Sequence, residues 1–109
     1  MELIEDAYLL KVYLGESDKV GRSPAYKAIV HELRKQGIWG ATVTRGVYGF
    51  GKRSVLHASS PLRLSEDLPV VIEAVDSQGK LEAAIPKIAP LVRGGLLVLV
   101  PVKAYTRIE

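Results

Sequence analysis

The chain has 109 residues, of which 48 % are hydrophobic and 25 % charged, a size and composition typical of one folded domain over residues 1–109. It contains no cysteine, which excludes disulfides, zinc–thiolate sites and a cysteine nucleophile. Fifteen Lys and Arg against 12 Asp and Glu give a formal charge of +3. That charge suits an anionic ligand but is less than nucleic-acid-binding proteins usually concentrate.

The hydropathy pattern predicts a cytoplasmic protein without membrane insertion. The longest apolar run, 96–102, contains Pro101 and is far shorter than the roughly 18 residues of a membrane span. The first six residues carry acids where a signal peptide carries a basic region. Asparagine is absent and glutamine and methionine are rare, which favours a thermophilic source.

The first half of the chain predicts a strand, a helix and a second strand. Residues Ala7–Leu14 combine apolar, aromatic and β-branched side chains, and Gly15 ends the run. Ser23–Pro24 then predicts an N-cap followed by proline at the first helical position. Apolar residues recur at helical spacing until Gly37, which is typical of a left-handed cap. Residues Ala41–Tyr48 predict the second strand.

The second half predicts a long loop, a strand, a helix and a last strand. The loop covers Gly49–Leu68 and the third strand Pro69–Asp76. Apolar residues at helical spacing predict a helix over Lys80–Leu91, with a kink at Pro86 and an end near Pro90. The fourth strand covers Leu96–Tyr105.

This βαββαβ order predicts an α+β, ferredoxin-like sandwich with a four-stranded antiparallel sheet and both helices on one face. Alternate positions of the first strand are apolar on both of its sides. A two-layer monomer would leave one of these sides in water. We therefore expect self-association that covers the open face of the sheet.

The main candidate site is a glycine cluster, Gly46–Gly51, followed by Lys52 and Arg53. Glycines let backbone N–H groups approach an anion closely, and the two cations could bind phosphate. The spacing is not that of a Walker loop, and no helix follows. A strand that simply ends in flexible turn residues explains the cluster equally well.

Two further segments have both a functional and an ordinary interpretation. A loop as long as Gly49–Leu68 is uncommon in a compact domain without a use, and a mobile arm that engages a partner is favoured over a solvated hairpin. Arg93-Gly94-Gly95 could hold a phosphate. By itself, however, this turn is typical of a helix C-cap with a cation at the negative end of the helix dipole.

Nothing in the sequence indicates an enzyme or a metal site. His31 and His57 are isolated from each other and from other candidate ligands. Glu73 and Asp76 fall on opposite faces of one strand, which excludes a paired acid and base. Residues 12–15 and 45–50 are similar to the two motifs of RNA-recognition domains, but the second would lie on the edge strand, so nucleic-acid binding is a minor alternative.

Four segments carry a resemblance to a known family: Val12–Glu16, Gly37–Val43, Gly46–Gly51 and Asp67–Ile72. In these segments, which lie between residues 12 and 72, the sequence resembles the PII signalling superfamily. It is most similar to a small family of uncharacterised PII-like proteins. True PII proteins are trimers that bind ATP or ADP between subunits, and the long loop after their second strand contacts target proteins.

The resemblance implies roles for particular residues. Gly49-Phe50-Gly51 matches the base of the PII loop, and Thr42 matches a threonine near the adenine. Arg93-Gly94-Gly95 occupies the place of the phosphate-binding loop but lacks its glycine–aspartate–glycine–lysine run. The segment 51–67 lacks the tyrosine that many PII proteins have uridylylated.

We therefore expect a homotrimeric, PII-like ligand sensor that binds AMP, ADP or ATP without a required cofactor and engages a protein partner through loop 51–67. The expected ligand-binding residues combine the strand, the loop base and the turn: Thr42, Gly49, Phe50, Gly51, Lys52, Arg93, Gly94 and Gly95. The alternatives are a nucleic-acid-binding module and a small acylphosphatase-type enzyme. The latter would need a phosphate loop around Arg22, where the glycines are not arranged as in that family.

Overall fold

The fold is built from eight strands and two α-helices in the part of the chain that the computed structural model describes, residues 1–51 and 67–107. The elements in chain order are β1 (Glu2–Leu3), β2 (Ala7–Gly15), β3 (Lys19–Val20), β4 (Ser23–Pro24), α1 (Ala25–Lys35), β5 (Ala41–Arg45), β6 (Pro69–Ser77), α2 (Gln78–Ile88), a 3-10 turn (Ala89–Leu91), β7 (Leu96–Pro101) and β8 (Tyr105–Thr106). Most of the long loop, including Lys52, Arg53 and His57, lies outside the described residues.

The central sheet confirms the ferredoxin-like prediction. Its strand order is β5-β6-β2-β7, and β2 pairs antiparallel with both β6 and β7. The helices cover one face of the sheet, where Leu10, Val12 and Ile72 are fully buried against Ile29 and Leu81. One hydrophobic core therefore lies between the helices and one side of the sheet.

Helix α1 follows its predicted apolar stripe. Ala25, Ile29 and Leu33 are its buried residues. At its end Gly37 has φ of 77°, and its N–H donates to the carbonyl of Arg34, which is the left-handed cap that the sequence predicts. Its beginning differs by one residue, because Pro24 rather than Ser23 is the N-cap and no side chain caps the helix.

Several element ends differ from the sequence prediction. The second predicted strand stops at Arg45 rather than Tyr48. The last one stops at Pro101, and residues further along form β8, which pairs with β1 at the N-terminus. Helix α2 continues past Pro86 to Ile88, and a 3-10 turn follows it. Pro101 is tolerated because β7 lies at the sheet edge.

The two acids of β6 lie on opposite faces, as the strand period predicts. Asp76 is 8 % exposed on the helix side, and its carboxylate accepts hydrogen bonds from the backbone N–H groups of Trp39 at 2.9 Å and Ser77 at 2.7 Å. Glu73 lies on the other side, 3.8 Å from the Nζ of Lys11. Asp76 thus anchors the turn that precedes β5, and it is not available to pair with Glu73.

A candidate ligand-binding cleft

A cleft opens at the end of the sheet where β2 finishes and where β6 and β7 begin. The antiparallel register brings Gly15 opposite Pro69 and Tyr13 opposite Leu96, and with the segment after β5, which contains Phe50 and Gly51, four separate chain segments meet there. The cleft has a volume of about 420 Å³ and is lined by residues from these segments: Tyr13, Leu14, Gly15, Asp18, Phe50, Gly51, Asp67, Pro69, Gly94, Gly95 and Leu96.

Four of the residues expected from the sequence line this cleft: Phe50, Gly51, Gly94 and Gly95. Gly49 immediately precedes this lining, and Arg93 is an exposed residue immediately before Gly94. Thr42 is an exposed residue of β5, opposite Glu73, and does not line the cleft of a single chain. Lys52 lies outside the described residues.

The Gly94–Gly95 turn is pressed against the end of β2. A Cβ at Gly95 would lie 2.5 Å from the carbonyl oxygen of Tyr13 and 2.7 Å from Cγ1 of Val92, distances that only glycine avoids. Gly94 has φ of 69°, a left-handed conformation that also favours glycine. Glycine therefore lets this turn pack directly against the backbone of β2 beside the cleft.

Aromatic and aliphatic side chains form the walls of the cleft. Phe50 is 74 % exposed and Leu96 is 59 % exposed, and both could pack against a flat, apolar ligand. Tyr13 and Leu96 also belong to the sheet face that the helices leave uncovered, since their positions alternate with Val12 and Leu97 in the core. The cleft is thus continuous with the open face of the sheet.

Two carboxylates that sequence reasoning missed line the cleft, Asp18 and Asp67. Asp18 accepts a hydrogen bond from the N–H of Gly15 at 3.0 Å, and Asp67 accepts one from the hydroxyl of Ser17 at 2.6 Å. The signal that could have found them is topological. In a sheet of this order, the end of the first strand and the start of the third lie side by side.

The open face of the sheet is largely apolar with one ion pair near its centre. Its residues alternate with the core positions along the strands: Leu9, Lys11, Tyr13, Thr42, Thr44, Val71, Glu73, Val75, Leu96, Val98 and Val100. The Nζ of Lys11 lies 5.5 Å from the centre of the Tyr13 ring. Interaction with the Tyr13 side chain, to which the charge of Glu73 adds, raises the pKa of Lys11, so this lysine is firmly protonated at neutral pH.

Other site types are not supported by the described residues. Within residues 1–51 and 67–107, no three His, Cys, Asp or Glu side chains come together as metal ligands. In the same part of the chain, no helix has the length and hydrophobicity needed to cross a membrane. A second cavity of about 330 Å³ lies beside Trp39 and the end of α1 and contains none of the residues expected to bind a ligand.

Comparison with known families fits this fold. The DUF190 family model, described as Uncharacterized ACR, matches residues 7–104. The chain belongs to the DUF190 family. A UPF0166 protein of Methanocaldococcus jannaschii is 38 % identical over 100 residues, which cover 91 % of this chain and 92 % of the relative. A UPF0166 protein of Aquifex aeolicus is 30 % identical over 80 residues, 73 % of this chain and 76 % of the relative.

Solved PII-like proteins share the fold of this DUF190 chain. CPII from Thiomonas intermedia, solved with ADP, AMP and acetate, matches with a TM-score of 0.66 and 14 % identity over 97 % of this chain and 94 % of CPII. A putative PII-like signalling protein from Thermus thermophilus matches with a TM-score of 0.58 and 18 % identity over 95 % of this chain and 93 % of that one. The resemblance to PII-like proteins predicted from the sequence is therefore confirmed at the level of family and fold.

Proposed function

We propose that this DUF190 protein is a ligand sensor that binds an adenine nucleotide in the cleft beside β2, within a homotrimer, and signals to a protein partner through loop 51–67. The observation that carries the proposal is the meeting of Phe50 and Gly51 with Gly94 and Gly95 in one cleft. These residues come from two segments that are far apart in the sequence, and each segment is expected from the sequence to bind a nucleotide.

The chemistry of the cleft supports an adenine nucleotide. Phe50 offers an exposed aromatic surface on which a base could stack. The Gly94–Gly95 turn lines the same cleft, and backbone N–H groups at glycines can bond phosphate oxygen atoms without obstruction by side chains. The PII-like protein CPII has been solved with ADP and AMP, which supports a ligand of this class on the same fold.

The trimer is proposed from the open face of the sheet. Tyr13, Leu96 and Val100 are 36 %, 59 % and 37 % exposed there, and apolar positions surround them. Contiguous apolar surface of this kind is typical of an interface between subunits. Because Tyr13 and Leu96 also line the cleft, subunits that cover this face would enclose the ligand between them.

The partner is proposed to contact the long loop, because the loop begins and ends at the cleft. Gly51 and Asp67, the last described residue before it and the first after it, both line the cleft. A ligand in the cleft would touch both ends of the loop, and its arrival could therefore change what the loop presents. The role is one of binding without a catalytic step, in the cytoplasm where adenine nucleotides are available.

Titration calorimetry of the purified protein with AMP, ADP and ATP tests the proposal. We expect heat of binding and thermal stabilisation with at least one of them. Lys52→Ala should weaken binding about ten- to a hundredfold, because a charge-assisted hydrogen bond contributes about 1.5–3 kcal/mol. His31→Ala, an exposed position of α1, is the matched control and should change nothing. No heat and no stabilisation with any of the three at millimolar concentration would contradict the proposal.

A further inference from the structure

We propose that the outer edge of β5 and the cavity beside Trp39 form a docking site for an extended acidic segment of a partner protein. The segment adds to the sheet as a strand beside β5, with an apolar side chain in the cavity and a carboxylate at Arg34. The site lies near the end of β6, where Ala41 faces Ala74, whereas the nucleotide cleft lies where β6 begins. Because α1 forms one wall of the cavity, the site is on the helix side of the sheet, away from the open face proposed for self-association.

The cavity has an apolar floor and a rim that carries an aromatic ring and a cation. Leu33 and Ile38 line its floor and are 0 % and 8 % exposed. Trp39, which is 69 % exposed, and Arg34, on the exposed side of α1, line its rim. The volume of about 330 Å³ is at the lower end of the range for ligand pockets. The cavity therefore has room for one large apolar side chain next to a bound carboxylate.

Polar contacts fix the turn that presents Trp39. Its N–H donates to Oδ2 of Asp76 at 2.9 Å, and Asp76 is 8 % exposed. The Nζ atom of Lys80 donates to the carbonyl of Gly37 at 2.6 Å and lies 3.4 Å from the same Asp76 oxygen. Tryptophan and arginine are the residue types that most often dominate the binding energy of protein interfaces. Here the turn is already ordered, so little conformational freedom remains to be lost on binding.

The outer edge of β5 carries backbone groups that the sheet does not use. Among the described strands, β5 pairs with β6 alone. The N–H of Gly46 donates to the carbonyl of Pro69 at 2.7 Å, and hydrogen-bonded positions alternate along an antiparallel pair. Thr42 and Thr44 therefore bond to β6. The positions between and beside them direct their N–H and C=O groups to the free edge: Ala41, Val43 and Arg45.

The sequence of β5 does not protect this edge against another strand. Exposed edges usually carry lysine, proline or a bulge, but residues 41–44 contain no charge and no proline, and the register of β5 is continuous. The charge of Arg45 is paired with Glu16. In recognition by strand addition, backbone hydrogen bonds give affinity and pockets for alternate side chains give specificity. The cavity at the start of β5 is placed as such a pocket.

The charges around the cavity favour an acidic segment. Arg34 and Lys35 are exposed at the end of α1, and within the described residues no ion pair engages Arg34. The neighbouring acid, Glu32, is half-buried and accepts a hydrogen bond from Nε2 of Gln36 at 3.2 Å. Complementary charges select a partner and speed its association. The partner segment is therefore one that combines a large apolar residue with an adjacent Asp or Glu.

The fluorescence of Trp39 tests the proposal, because Trp39 is the only tryptophan of the chain. The probes are synthetic peptides of about eight residues, with alternating valines, a central phenylalanine and two glutamates. Matched peptides carry lysines in place of the glutamates, or alanine in place of the phenylalanine. Two further acidic peptides are methylated on alternate backbone nitrogens, each along a different edge of the extended peptide. Arg34→Gln removes the cation, and Lys103→Gln, an exposed residue beyond β7 at the other edge of the sheet, is the control for net charge.

We expect the acidic peptide to shift the Trp39 emission to shorter wavelength in a saturable manner. The lysine peptide and the alanine peptide should each bind about tenfold more weakly. Arg34→Gln should weaken binding of the acidic peptide about tenfold, and Lys103→Gln should leave it unchanged. One methylated peptide should bind and the other should not, because an added strand bonds to the sheet through one of its edges.

Three results would overturn the proposal: no shift of the Trp39 emission with any peptide at millimolar concentration, equal binding of the acidic and the lysine peptides, or equal binding of the two methylated peptides. Light scattering and circular dichroism of Trp39→Ala add a fourth. A folded Trp39→Ala variant with a smaller assembly than the wild type would show that a second copy of this chain covers the cavity. Nucleotide binding is measured separately, so its failure leaves this docking site unaffected.

Discussion

The two faces of the central sheet have similar sequences and different surroundings. Leu10 and Val12 point to the helices and are fully buried, whereas Leu9 and Tyr13, one residue away on the same strand, lie on the uncovered face. Strands with one wet face normally alternate apolar and polar residues. Here the alternation is lost, because both sets of positions are mostly apolar.

The face covered by the helices stabilises the fold of the single chain, whereas the uncovered face is surface available for contacts with other molecules. The helix side buries residues against the chain's own helices and forms its core. The open side carries apolar residues that the chain itself does not cover, with the Lys11–Glu73 pair among them. The buried face therefore stabilises the fold of each chain, whereas the open face is the surface proposed for self-association. Substitutions at neighbouring positions of one strand can test this division.

The largest contrast is expected between two neighbouring leucines. Leu10→Ala removes a side chain with no exposed surface and should lower the free energy of unfolding by about 2–5 kcal/mol. Leu9→Ala, on the open face, should cost less in the folding of each chain and should mainly weaken association. Denaturant unfolding at several protein concentrations separates the two effects, because only stability that depends on assembly varies with concentration. If both variants lost the same free energy of unfolding and neither loss varied with protein concentration, the proposed difference between the two faces would be wrong.

A charge placed on the open face should dissociate the assembly without unfolding the chain. Val100→Asp would bury three unpaired carboxylates in a trimer, and we expect association to weaken at least about a hundredfold, roughly 2.7 kcal/mol. Ala83→Asp adds the same charge at an exposed position of α2 and should leave association unchanged. Sedimentation velocity and circular dichroism of both variants check this. An assembly that survives Val100→Asp would show that the open face is not the interface.

The ion pair on the open face should have a smaller effect. Lys11→Met leaves Glu73 covered and unpaired in the assembly, so association should weaken about tenfold. The double variant with Glu73→Met removes both charges and should recover most of the loss. Sedimentation of the single and double variants measures both effects. If the ion pair stayed exposed to water in the assembly, neither variant would change the strength of association.

The pH dependence of the same pair has a definite sign. Interaction with Tyr13 and Glu73 raises the pKa of Lys11 above its ordinary value. A group whose pKa is raised contributes stability that is complete below the pKa it has in the unfolded chain and is lost as pH rises through the raised value. The Lys11 contribution to the stability of the folded chain should therefore be constant across neutral pH and be lost only in strongly alkaline solution. Denaturant unfolding measured against pH should show a larger alkaline loss of stability for the wild type than for Lys11→Met.

Much of the fold could be predicted because local patterns and topology agree. The stripe Ala25, Ile29 and Leu33 identifies the buried side of α1, and Gly37 marks its end. The ends of strands were predicted less well. Apolar and aromatic residues after Arg45, such as Val47 and Tyr48, continue the pattern of a strand but lie exposed beyond the end of β5. The strand ends where its hydrogen bonding to β6 ends, and amino-acid composition alone does not mark that position.

The part of the candidate site that could be predicted from the sequence is the part that contains glycines. Gly51 and Gly94 stand out in the sequence because phosphate-binding loops need backbone without side chains. Asp18 and Asp67 do not, because isolated acids in polar loops are common and become neighbours only once β2 and β6 are paired. Thr42, expected near adenine from the family resemblance, remains a prediction that a second subunit would have to satisfy.

The mass of the protein in solution tests the account most directly, because both the covered face and the enclosed cleft depend on it. Light scattering coupled to size-exclusion chromatography, at micromolar concentration, should give three times the 11.9 kDa of one chain, with and without AMP. A mass of one chain under both conditions would contradict the account, since the open face and the cleft beside Tyr13 and Leu96 would then remain in water.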